Sequence, residues 1–168
     1  RRVYAMLGCT LGNLDQEPQF FQHALAGAAP RDLLMFDVEY VFSDSLDPAV
    51  IRKTDPAFGA PVSDDVQRWL SGPIHRYCQD AQEVSFSLGL DLNRPLHGCY
   101  GLQFLANVQL LGGRSKELCM FQVRRYKPEG LIDCLRSLDW KNVGLFPFRG
   151  SQNRPRGVLL FEKQIPRR

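Results

Sequence analysis

The chain has 168 residues, 44% of them hydrophobic, enough to bury the core of one domain and not enough to force a second. A formal charge of +3, from 21 basic and 18 acidic residues spread along the chain, argues neither for a nucleic-acid surface nor against one; the pairs Arg1-Arg2, Arg124-Arg125 and Arg167-Arg168 read as solvated charges rather than a phosphate track. No run of about eighteen apolar residues offers a membrane span, and the first apolar run is too short for a cleavable signal peptide.

Five cysteines, Cys9, Cys78, Cys99, Cys119 and Cys134, are odd in number and scattered, with no Cys-x-x-Cys pair. That usage fits unpaired thiols in a reducing, cytoplasmic setting. His23, His75 and His97 lack the close spacing of zinc ligand pairs, so no metal site is expected. Because the chain opens at Arg1, almost immediately inside a strand, it is expected to be a piece of a longer protein.

In chain order, Arg2 to Leu7 reads as a buried strand, and Asp15 to Ala28 as a helix with Phe20, Phe21, Ala24 and Leu25 at helical spacing. Asp32 to Val41 is a strongly apolar strand carrying Asp37 where the apolar density falls. Strand, helix, strand with short connections is the unit of a parallel α/β sheet, with a right-handed crossover. Ser43 to Pro61 reads as loop with a short helix near Ala49 to Lys53, and Ser63-Asp64-Asp65 as the cap of a helix to about Gln79, bent or divided at Gly72-Pro73. Glu83 to Leu92 alternates as a strand, while Tyr100 to Leu111 and Lys116 to Val123 form a hairpin around Gly112-Gly113. Pro128 to Trp140 reads as a helix with Leu131, Ile132, Leu135 and Leu138 on one face. Asn142 to Phe148 and Arg156 to Ile165 make a last pair, joined by the loop Arg149 to Pro155.

The most informative stretch is Tyr4-Ala5-Met6-Leu7-Gly8-Cys9-Thr10-Leu11-Gly12-Asn13-Leu14, where the first apolar strand ends in a loop with two glycines, a threonine and an asparagine. In open α/β sheets ligands sit beyond the carboxyl ends of the strands, where glycine admits close backbone approach and an Asn amide both donates and accepts. The alternative is a plain turn in which Gly8 and Gly12 relieve strain and Asn13 caps the next helix. Cys9 reads as a small buried hydrophobe and not a nucleophile.

The same string resembles the LGxTxGN segment of the histidine-specific, S-adenosylmethionine-dependent methyltransferases, the family of the Nα-trimethylating enzyme of ergothioneine biosynthesis. Leu33-Leu34-Met35-Phe36-Asp37-Val38 resembles that family's fifth strand with its Asp, and Arg125-Tyr126-Lys127-Pro128-Glu129-Gly130-Leu131 its K-[FY]-x-P-E opening of a late helix; 43–113 matches only loosely. The resemblance implies the C-terminal half of a Rossmann-like class I methyltransferase sheet, ending in an antiparallel hairpin. It divides the chain into a core at 1–42, a substrate-domain-like insertion at 43–113 and a return to the core at 114–168. It further implies a methyltransferase using S-adenosyl-L-methionine, with Gly8, Thr10 and Asn13 in the substrate loop and Asn13 holding the substrate amino group. The cofactor turn would lie in an N-terminal half outside this chain, which is the expected partner, and the chain by itself would be inactive.

No Gly-x-Gly-x-x-Gly pattern is present. Where the resemblance places a Glu and a Ser on the substrate imidazole, this chain has Phe121 and Val123, which make no such hydrogen bonds; a substrate-carboxylate tyrosine is matched by Thr54. The expected acceptor is therefore an amino group of a small molecule or amino acid other than histidine, with an apolar or aromatic side chain. An uncharged amine needs little acid-base help, and alignment supplies much of the acceleration, so no general base is nominated. Asp37 could receive a substrate ammonium or cap a turn. Phe36, Tyr40 and Phe42 could wall a pocket or serve as core and surface. The alternative function is a non-catalytic interaction module on a decayed methyltransferase fold, with neither nucleic acid nor membrane as partner.

Overall fold

The computed structural model describes residues 1–8, 10–14, 16–59, 61–93, 96–150 and 154–165. Cys9, Asp15 and the pair Arg167-Arg168 therefore lie outside the described residues. Among the described residues, no helix is long and apolar enough to cross a membrane.

Strand β1 (Val3–Met6) runs parallel to β2 (Leu33–Glu39), with Val3 opposite Leu33 and Met6 opposite Phe36. Helix α1 (Glu17–Ala24) makes the crossover. It is shorter than the apolar spacing predicts, because its N-cap Gln16 makes no side-chain cap bond and the chain leaves the helix at Leu25. The chain ends in a hairpin of β6 (Trp140–Arg149) and β7 (Pro155–Lys163), and β7 inserts antiparallel against β2 to give the order β1-β2-β7-β6. A parallel strand-helix-strand unit completed by a reversed terminal hairpin is a Rossmann-like, methyltransferase-type sheet.

Helix α4 (Pro128–Arg136) packs beside α1 on one face of this sheet. Phe21, Phe36 and Phe161 stack in sequence there, with centroids 5.9 and 5.5 Å apart, above buried Leu131 and Leu135. Phe36 is thus a core residue. The opposite face, with Val3, Met35, Leu160 and Phe146, is half-buried or exposed and carries no helix among the described residues.

Two further helices differ from the sequence reading. Helix α4 stops at Arg136, and Asp139 at φ +60 turns the chain so that Trp140 opens β6. Helix α3 (Asp64–Tyr77), capped by Ser63 through Val66 N–H, runs through Pro73 unbroken. Pro73 has no N–H to give the Trp69 carbonyl, but burial of Leu70 and Ile74 holds the helix across that gap. Helix α2 (Pro48–Thr54) precedes it, capped by Asp47.

The second sheet is β3 (Ala81–Asp91), β4 (Tyr100–Leu110) and β5 (Ser115–Arg125), all antiparallel. Gly112 at φ +83 and Gly113 at φ +77 make the β4-β5 turn. This sheet runs on to Arg125, past residue 113 where the insertion was expected to end. Helix α3 covers one of its faces through Ile74, against Ala106, Val108 and Leu110.

The end of β5 joins the two sheets. Tyr126 N–H donates to the Glu39 carbonyl at 3.0 Å, and Val41 N–H to the Tyr126 carbonyl at 3.2 Å. The pair Arg124-Arg125, read from sequence as solvated, is buried. Arg124 pairs with fully buried Glu17 of α1, and Arg125 with Glu39 of β2 and, at 3.2 Å, with Asp55. Each arginine finds a carboxylate on an element of the main layer, and that compensation is what allows it to enter the interior.

Candidate functional site

The loop after β1 begins at Gly8, whose φ of +76 suits glycine. It then forms a single 3-10 turn, Thr10–Asn13, rather than entering a helix directly. Thr10 donates its hydroxyl to the Leu7 carbonyl at 2.7 Å, which closes the turn. Leu11 and Gly12 are buried. A Cβ on Gly12 would stand 3.1 Å from the Arg124 backbone nitrogen, so glycine lets the loop lie directly against β5. Beneath it, Tyr126 Oη donates to Glu17 at 2.7 Å and lies 3.1 Å from the Leu11 carbonyl. Burial first, then the Glu17 charge and hydrogen bond, push the Tyr126 hydroxyl far up, which keeps it a donor.

This support leaves Asn13 exposed at the tip of the turn. Two clefts meet there, sharing Asn13, Met120 and Phe121. One, of about 570 Å³, is closed by Trp69, Leu70 and Pro73 of α3. The other, of about 600 Å³, is lined by Asp91, Gln103 and Gln122 together with Cys119. A bulge explains why consecutive residues of β5 reach both: Phe104 pairs with Phe121 but Leu105 with Cys119, which leaves Met120 as the extra residue. The Phe121 ring stacks on Phe104, centroids 4.2 Å apart.

Of the residues singled out from sequence, the structure brings Asn13 and Phe121 together. Gly8 and Thr10 shape the loop. Val123 lies half-buried opposite Leu102 and lines neither cleft. Asp37 sits within β2, two residues before its end, and receives a bond from Arg156 Nη2 at 2.5 Å. Thr54 donates to the Val50 carbonyl within α2. Tyr40 is half-buried beside Phe148 and Arg156, and Phe42 lies under the Arg125 guanidinium at 5.8 Å. Sequence reasoning missed Trp69, Asp91, Gln103 and Gln122. The one available signal was Trp69, a large apolar residue on the polar side of an amphipathic helix, where it remains 72% exposed.

S-adenosylmethionine, which the loop resemblance implies, finds no complete site among the described residues. The glycine turn after β1 leads into a 3-10 turn, and α1 begins at a buried glutamate held by Arg124, not at a turn of exposed backbone N–H groups.

No protein-family model matches the chain, and no curated protein matches it significantly. Among solved structures it is similar to an S-adenosylmethionine-dependent methyltransferase from Clostridium acetobutylicum, with 10% identity and a TM-score of 0.49. The match covers 98% of this chain and 60% of that one, so the chain spans about three fifths of the protein it is similar to. The fold rests on the strand order.

Proposed function

We propose that this chain is the C-terminal, substrate-facing portion of an S-adenosylmethionine-dependent N-methyltransferase, acting on an amino group of a small molecule or amino acid other than histidine. The observation that carries the reading is the meeting of Asn13, at the carboxyl end of a parallel strand, with Phe121 of β5 across a shared cleft. Asn13, the last polar residue of the loop string that resembles the histidine-specific methyltransferases, therefore lines a cavity, as a substrate-binding residue must. In this reading Asn13 orients the amine. Phe121 offers a ring where a histidine-specific site would offer hydrogen bonds, and an imidazole left unpaired there would lose on the order of 1 to 3 kcal/mol per group. The cofactor site belongs to an N-terminal half that completes the sheet, and the protein works in the cytoplasm.

A non-catalytic interaction module on the same fold is the second reading, favoured by the absence of a nucleotide-binding glycine turn from the sequence. Calorimetry and methyl transfer separate the two. The 168-residue chain is expected to bind no S-adenosylmethionine, while a longer protein with an upstream Gly-rich strand-turn-helix binds it and methylates an apolar amine. Tight cofactor binding by the short chain would mean the site is misplaced, and efficient trimethylation of histidine would refute the substrate assignment.

A further inference from the structure

The slot between Asn13 and α3 has two walls built by different devices. On α3, Trp69 and Pro73 are four residues apart and share one stripe of the helix, next to the buried stripe of Leu70 and Ile74. Trp69 thus stays 72% exposed while the neighbouring stripe anchors its helix. On β5, consecutive residues would ordinarily point to opposite faces of the sheet, but the bulge at Met120 lets Met120 and Phe121 line the same slot. The stack on Phe104 holds the Phe121 ring in place. Among the described residues lining the slot none carries a formal charge, and Asn13 supplies the one side-chain amide. Arg68, next to Trp69 in sequence, pairs with Asp65 of its own helix at 2.6 Å. A cleft of about 570 Å³ with apolar walls and a single amide has the size and make-up of a small-molecule pocket.

We propose that this slot is the specificity pocket of the Asn13 site: it takes an uncharged aromatic group carried by the substrate, and Trp69 is the residue that selects it. The inference deepens the proposed function; it rests on reading the Asn13 cleft as the substrate site and on nothing in the cofactor assignment. Two physical effects make the selection. A charged or strongly hydrated group entering the slot gives up water and meets no opposite charge on the walls, so it is rejected. An aromatic ring gives up little, covers the indole that the fold leaves bare, and gains ring contacts with Trp69 and Phe121. Reading of the substrate's body thus falls to α3, which packs on the second sheet, while Asn13 belongs to the turn after β1 of the main sheet. A change at Trp69 therefore alters preference without touching the Asn13 turn.

Tryptophan fluorescence reads the slot directly. Trp140 is 1% exposed and supplies a constant background, whereas Trp69 stands in the slot. Three primary amines that differ only in the body they carry make the test: 2-phenylethylamine, ethanolamine and 1,4-diaminobutane. Titration of the 168-residue chain with 2-phenylethylamine is expected to saturate, with affinity at least about tenfold tighter than for the hydroxylated or the doubly charged amine. Followed by calorimetry, Trp69→Ala should bring the three amines to comparable affinity, and Trp69→Phe should keep most of the preference. Because Trp69 is exposed, circular dichroism should show both variants folded as the parent is. Equal affinity for the three amines, a preference that survives Trp69→Ala, a Trp69→Phe variant no more selective than Trp69→Ala, or no saturable binding by the folded chain would overturn the proposal. Methyl transfer by the longer protein with a body preference that ignores Trp69→Ala would overturn it and leave the proposed function standing. The expected selectivity in a protein without methyl transfer would do the reverse.

Discussion

Asn13 is an exposed side chain on a turn whose rigidity comes from its neighbours, Leu11 and Gly12 below and Thr10 closing the turn. Removing its amide should therefore separate binding from stability. Asn13→Ala is expected to change unfolding free energy by under about 1 kcal/mol, as surface substitutions do, and to reduce amine binding and turnover at least tenfold. A lower melting temperature with unchanged amine affinity would make Asn13 a cap. Asp32 poses the complementary case, a residue that serves stability alone. Its carboxylate receives Arg2 N–H at 2.7 Å, Ala29 N–H at 3.0 Å and Arg2 Nε at 3.0 Å. These bonds, the Arg2 backbone one first, hold its pKa below the ordinary value of 3.8. A lowered carboxylate pKa means stability that is fully present above the ordinary value and is lost as pH falls through the folded one. Urea titrations should find Asp32→Asn less stable than the parent at neutral pH, with the gap narrowing below pH 3.8. A gap independent of pH would remove the ionised carboxylate as its source.

Strand β5 is the element on which site and scaffold meet, since it contributes Met120 and Phe121 to the clefts and Arg124 to the seat of the Asn13 turn. Gly12→Ala should press a Cβ against the Arg124 backbone, costing about 1 to 3 kcal/mol and weakening amine binding although no contacting group is removed. Arg124→Met leaves Glu17 buried without its cation, and chemical denaturation should show a loss of about 3 to 5 kcal/mol. Pairing it with Glu17→Leu should recover much of that loss. A double variant no more stable than the single one would place the cost in packing instead. The sequence made β1, α1 and β2 legible as elements, because apolar runs bounded by glycine and Ala29-Pro30 leave little else for them to be, but β1, read as buried, is an edge strand with Val3 62% exposed. The burial of Arg124 and Arg125 was not legible, because a basic pair at a strand end reads as solvated until its carboxylates arrive from 70 or more residues away on other elements. The Met120 bulge, and with it the cleft holding Asp91 and Gln122, depends on a strand register that no local pattern marks. Asn13 and Phe121 were legible one at a time, through the loop string and its departures, but not as neighbours.

At the scale of the molecule, the main sheet has, among the described residues, one face without a helix and two edge strands, β1 and β6. Only the β1-β2 pairing of this sheet is parallel, and α1 and α4 share a single face, so that Val3, Met35, Leu160 and Phe146 are left partly bare on the other. Strand β1 is the edge strand on the parallel side, next to β2 alone among the described residues. The Arg2 carbonyl accepts from Leu33 N–H, so alternation along β1 turns the backbone groups of Tyr4 and Met6 toward β2 and those of Val3 and Ala5 outward. An edge whose outward backbone groups meet no further strand among the described residues, beside an apolar face, is open to continuation by another strand. The occupant that fits the proposed function is the N-terminal half of the sheet, which would bring a strand to this edge and a helix to this face. Hydrogen exchange tests it amide by amide. In the 168-residue chain, Val3 and Ala5 should exchange at nearly unprotected rates while β2 and β7 amides are slow; in the longer protein, Val3 and Ala5 should become protected together with it. If those two amides are already slow in the short chain, the edge is paired with something else, a second copy being the first to check by sedimentation at several concentrations. If they remain fast in the longer protein, the proposed N-terminal half does not extend this sheet, and the methyltransferase reading loses its cofactor site.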